Sequence, residues 1–168
     1  MNAADQARSP ELAQVLAAVV GLFRRRFPAA RAHLSPWRDD PITRAFDEAE
    51  TLDLAFHFPG WSPRTQCRSL LVQLRLIQPP HSQGCSPRPR LIGVVMRGLT
   101  TESERWRLAT VGDWQPSGRH LPHPEVVASL QELCRELFTL LSGAAAEDGS
   151  DGGADDAADG GSEQRRAA

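Results

Sequence analysis

The sequence predicts an α+β fold: a four-stranded antiparallel meander with N- and C-terminal helices packed on the sheet, followed by a disordered acidic C-terminal tail. Three observations lead there. Apolar residues recur at helical spacing near both ends of the body; four segments between them alternate apolar and polar residues; and the links between those segments suit hairpins better than crossovers.

The first helix spans about 10 to 27. Ser9 is placed to cap it, Pro10 fits the first helical position, and Glu11 sits near the positive end of the helix dipole. Leu12, Val15, Leu16, Val19, Leu22, Phe23 and Phe27 form its apolar stripe, and Arg24, Arg25 and Arg26 complement the negative end before Pro28. A loop over 28–40 follows. Asp40 and Pro41 then open a short helix reaching about Glu50.

From Thr51 the period changes to two. Leu52, Leu54, Phe56 and Phe58 alternate with Asp53, Ala55 and His57 until Pro59 and Gly60 end the first strand. Over 67–78, Leu70, Val72, Leu74 and Leu76 share one face while Leu71, Gln73, Arg75 and Ile77 share the other. The run PPHSQGCSPRPR is an irregular connection; strands over about 90–98 and 103–112 complete the four. The Pro-rich stretch from Asp113 leads to a last helix from Pro124, with Val126, Leu130, Leu133, Cys134, Leu137 and Leu141 on one stripe and Gly143 as its stop.

The 168 residues divide into one α+β domain, 1–142, and a tail, 143–168. All nineteen basic residues are Arg, and there is no Lys. The tail holds seven acids and two Arg, a formal charge of −5, which leaves the body at +3. With almost nothing to bury, the tail cannot offset its ordering entropy. Arg without Lys has two readings, a GC-rich genome, which the abundant Ala, Gly and Pro favour, and a surface of guanidinium forks suited to carboxylate and phosphate. No apolar run is long enough to cross a bilayer and no secretory leader is evident, so the expected location is cytoplasmic, with Cys67, Cys85 and Cys134 as free thiols.

The sheet supplies the functional expectation. If Leu70, Val72, Leu74, Ile92, Val94, Met96, Trp106 and Leu108 face the helices, the reverse side carries Leu71, Ile77, Leu91, Val95, Ala109 and Val111 beside Gln73, Arg75, Arg97, Arg105 and Arg107. That mixture is more apolar than a solvated face needs and more charged than a core allows, as in contact surfaces. Leu71, Gln73, Arg75, Val95, Arg97, Arg105 and Arg107 are therefore candidates for binding a protein partner. The function expected is a non-catalytic interaction module, an adaptor or assembly factor, and a homodimer is one form such binding takes. Helices divided between the two faces, or a loop over the second face, would remove the case.

Motifs for chemistry are sparse. His81 with Cys85 and His120 with His123 have short spacings, but none belongs to a paired CxxC frame. Asp53 and the Gln73-Leu74-Arg75 triplet resemble a metal-dependent nuclease core, the alternative function, although Gln73 adds no charge and Arg75 cannot act as a base. There is no nucleophile elbow, dinucleotide fingerprint or P-loop, so no cofactor is expected. Arg105-Trp106-Arg107 is the nearest approach to a nucleic-acid clamp, yet alternation sends Trp106 to the opposite face from both Arg.

The stretches WSPRTQCRSLLVQLRL, Trp61 to Leu76, and RWRLATVGDW, Arg105 to Trp114, with the closing helix, resemble small uncharacterised proteins of cyanobacteria. The resemblance implies a cytosolic accessory or assembly factor and assigns no functional residue.

Overall fold

The computed structural model describes residues 1–36, Phe46, Glu48, 50–77 and 90–142. Their order is α1 (Ala3–Gln6), α2 (Pro10–Arg26), β1 (Arg31–His33), β2 (Thr51–Ser62), β3 (Cys67–Ile77), β4 (Arg90–Leu99), β5 (Glu104–Ala109), β6 (Pro116–Gly118) and α3 (Pro124–Ser142). The strands form one sheet in the order β1-β2-β3-β4-β5-β6, with every neighbour antiparallel.

The α+β class stands, but the four-stranded meander is corrected to six strands. The additional ones, β1 and β6, are three-residue edges in segments read as loops. Three residues are too few to display a period, and Pro116 and Gly118 are turn signals tolerated at an edge. β2 also runs past Pro59 and Gly60 to Ser62, its pairing with β3 irregular between His57 and Ser62. The predicted short helix over 41–50, apart from the described positions within it, the connection over 78–89 and the acidic tail lie outside the described residues.

Sequence signals for α2 are realised locally. Ser9 Oγ accepts the Leu12 N–H at 3.2 Å, Pro10 is the first helical residue, and Phe27 N–H closes on Phe23 O. Both long helices lie on one side of the sheet. Leu16, Val19, Leu22 and Phe23 of α2 and Val126, Leu130, Leu133, Cys134 and Leu137 of α3 share a buried cluster with Leu54, Phe56, Leu70, Val72, Leu74, Met96, Trp106 and Leu108. Phe23 stacks on Phe56 with ring centroids 4.2 Å apart. Arg26 ties the helices together by bonding Ser129, Glu132 and Glu136 of α3.

Bulges decide which side chains reach this core. Arg75 pairs with Gly93 but Leu76 pairs with Leu91, so β4 carries one extra residue, Ile92. Simple alternation places Ile92 inward; the bulge buries Leu91 instead and leaves Ile92 exposed. Beyond β5, Trp114 takes a left-handed φ of 60°, held by Gln131 donating to its carbonyl and by stacking on Phe138.

Candidate functional site

Opposite the helices, the middle of the sheet is closed by polar groups and one aromatic ring. Asp53, Gln73 and Arg97 lie on β2, β3 and β4, and all three are buried. Gln73 Nε2 donates to Asp53 Oδ1 at 3.3 Å and to the Phe46 carbonyl at 2.7 Å. Its Oε1 accepts from Arg97 Nε at 3.1 Å, and Arg97 Nη1 reaches Glu104 at 2.7 Å. The Phe46 ring packs on Leu71 and Leu99 and takes the Arg97 guanidinium 4.4 Å from its centroid. A cationic plane on an aromatic face gains electrostatic attraction while shedding water.

The seven sequence candidates therefore separate by position. Leu71, Gln73 and Arg97 belong to this closed centre. Arg75 is exposed and paired with Glu48 at 2.6 Å. Val95 is half-buried, Arg107 exposed, and Arg105 half-buried. Outward from the closed centre, β4 and β5 present Val95 opposite Ala109 and Arg97 opposite Arg107. A Cβ placed on Gly93 would lie 3.9 Å from both Arg75 Cβ and Val111 Cγ2, so those two side chains flank the same spot. Val111 is 81% exposed. Arg75, Val111, Val95, Ala109 and Arg107 thus form an Arg-and-aliphatic strip beside the closed centre.

At one end of the sheet a second arrangement depends on irregular pairing. Gly98 pairs with Trp106 and Leu99 with Glu104, which makes Arg105 the extra residue of a bulge. Its guanidinium lies 5.5 Å from the ring centroid of Trp61, and its Nε is buried with no hydrogen-bond partner among the described residues. Trp61 is 43% exposed. Trp106 points the other way, into the core, with Nε1 donating to Thr65 O at 2.7 Å. Sequence alternation separates Arg105 from Trp106 but gives no sign of Trp61, because that contact needs irregularities in two strand pairs.

On β1 and β2, His33 and His57 bring their ring centroids to 5.6 Å. His57 Nδ1 lies 2.7 Å from Ser69 Oγ. Burial, with the like charge of His33 added, holds the His57 imidazole below its ordinary pKa. Neither His was singled out from the sequence, since β1 is too short to reveal its register.

Asp53 is at the centre of the nuclease alternative. Its Oδ2 accepts from the Met1 ammonium at 2.6 Å while Oδ1 takes the Gln73 amide. Among the described residues, no group of three or more His, Cys, Asp or Glu could hold a metal ion. His81 and Cys85 lie outside the described residues, whereas His120 and His123 are exposed. Cys67 and Cys134 are free and buried, and burial pushes their thiols up to about 11 and about 12. No described helix is long and apolar enough to cross a membrane.

Neither a curated protein nor a solved structure matches the chain in comparison searches. A family model described as a domain of unknown function matches residues 4–143, and the chain belongs to that family.

Proposed function

We propose that this protein is a non-catalytic interaction module, an adaptor or assembly factor, that binds an acidic or amphipathic protein partner through the Arg-and-aliphatic strip of its sheet. The observation that supports this reading most directly is the arrangement around Gly93: both long helices pack on the other face, while Arg75, Arg107 and Val111 are exposed and Val95 is half-buried. Aliphatic bodies supply area to desolvate, and guanidinium forks supply carboxylate recognition. Arg105 on Trp61 extends the basic character toward the end of the sheet. The resemblance to cyanobacterial proteins fits a cytoplasmic accessory role of this kind.

The test is affinity purification from the native cell with Val95→Glu/Arg107→Glu beside the wild type. An outward-facing α2 change, Ala17→Glu, serves as a control, with size-exclusion chromatography of each isolated protein. The double change is expected to lose the partner while retaining the wild-type circular dichroism, and the control is expected to keep it. Equal recovery with the double change overturns the proposal; loss only of a self-associated species identifies a second copy as the occupant.

The Trp61–Arg105 contact favours one further reading, sequence-tolerant nucleic-acid binding, because a base would stack on the exposed ring beside a fixed positive charge. That reading requires affinity for single strands that falls steeply with salt and is lost in Trp61→Ala.

A further inference from the structure

We propose that His33 and His57 form a two-imidazole site for a borderline divalent cation of the Zn²⁺, Ni²⁺ or Cu²⁺ class at the β1 edge of the sheet. Strand register creates the pair. Arg31 is directly opposite His57 and His33 is opposite Ala55, so the two His are diagonal neighbours on one face of an antiparallel ladder. Both residues reach solvent, His57 partly shielded by its neighbours, which leaves an ion a path of entry.

The spacing matches shared coordination. With metal–nitrogen bonds of about 2.0–2.1 Å and a tetrahedral angle between them, two imidazoles on one ion hold their centroids roughly 5 Å apart. The observed 5.6 Å, with the rings tilted by 46°, is reached from that arrangement by small side-chain rotations. The strands need not move.

Ser69 adds an independent feature. It sits opposite His57 on β3, and its hydroxyl oxygen lies 2.7 Å from His57 Nδ1. When Nδ1–H donates to that oxygen, the proton is fixed on Nδ1 and the lone pair on Nε2 is left for the ion, the pattern by which an outer partner orients a metal-binding imidazole. Among the described residues no carboxylate joins the pair, which favours nitrogen-preferring ions over Mg²⁺ and Ca²⁺. Arg31 works against a dication through its charge. The described residues supply two ligands, and water or an incoming group supplies the others.

Calorimetric titration of the full chain with Zn²⁺, followed by ¹⁵N spectra of the imidazoles, tests the site. The wild type is expected to bind an ion that His33→Ala and His57→Ala each weaken about tenfold or more, the scale of removing a ligand or its support. Ser69→Ala is expected to weaken it by a smaller factor, and Arg31→Ala to tighten it. The shifts should appear at Nε2 of His57. Equal stoichiometry and affinity in the wild type and in His33→Ala/His57→Ala would place any bound Zn²⁺ elsewhere and overturn the proposal, as would absence of binding. These readouts do not involve the partner strip, so either proposal can fail without the other.

Discussion

At Gly98 a missing Cβ determines how a whole ring packs. A Cβ there would fall 2.3 Å from Trp106 Cε2 and Nε1, far inside van der Waals contact, and both residues sit in the buried sheet interior. Trp106 cannot withdraw without breaking the bond from its Nε1 to Thr65 O. Gly98→Ala is therefore expected to cost about 1–3 kcal/mol, the usual range for forcing extra volume into a packed core. Urea unfolding would read this as a lower midpoint with an unchanged slope. The buried thiols supply a second expectation at the same scale. With their pKa values near 11 and 12, Cys67 and Cys134 hold almost no thiolate at neutral pH, so both should resist alkylation until the protein unfolds. Mass spectrometry of peptides labelled before and after denaturation checks it; labelling of either residue under native conditions would contradict the packing described.

His57 links a residue to the stability of its strand pair. Its folded pKa lies below the unfolded value because burial and the neighbouring His33 both disfavour the cation, with burial the larger cause. The unfolded chain therefore takes up a proton first as pH falls. The contribution of His57 to stability is present above about pH 6.5 and declines as pH drops through the folded pKa. Arg31 lies directly opposite on β1, and Ser69 can still accept from the charged ring. His57→Gln should flatten the stability profile between roughly pH 7 and 5 in denaturant titrations.

Elements were legible where they were long. α2 shows a cap and charges matched to both ends of its dipole, α3 has an acid in its first turn, and both carry apolar stripes; β3 reads as a strand from its run of apolar residues, although it is buried on both faces from Leu70 to Leu74. Where the ladder breaks, the reading breaks too: Ile92 and Arg105 occupy bulges, and no periodicity in a single strand shows that its partner has one residue fewer. β1 and β6 exist because longer neighbours offer them a ladder. The helix pair carries its own expectation. Arg26 bridges to Glu132 and Glu136, which raise its pKa, and its side chain is only partly exposed. Arg26→Ala should cost about 1 kcal/mol at low salt, and the cost should shrink as salt rises, since part of the gain is Coulombic.

Across the whole molecule the two faces of the sheet are closed by different means. The helix face is sealed by aliphatic and aromatic packing, whereas the other is sealed at its centre by a hydrogen-bonded row under Phe46. The mixed polarity of that second face was visible in the sequence; its division into a covered centre and an open strip was not, because Phe46 lies 27 residues from Gln73. The covered centre behaves as a unit. Removing the Arg97 side chain leaves Gln73 Oε1 and Glu104 without a donor and strips Phe46 of its cation, so Arg97→Ala should cost on the order of 2 kcal/mol. Phe46→Ala removes the cover from Leu71 and Leu99 as well. Since each change destroys the contact the other depends on, their effects should not add: the double variant is expected to be more stable than the sum of the single losses implies, by roughly 0.5–2 kcal/mol. A cycle measured by chemical unfolding decides this. Strict additivity would mean that Phe46 rests on the sheet without being held by the guanidinium beneath it, and the closed centre would then be two independent contacts rather than one.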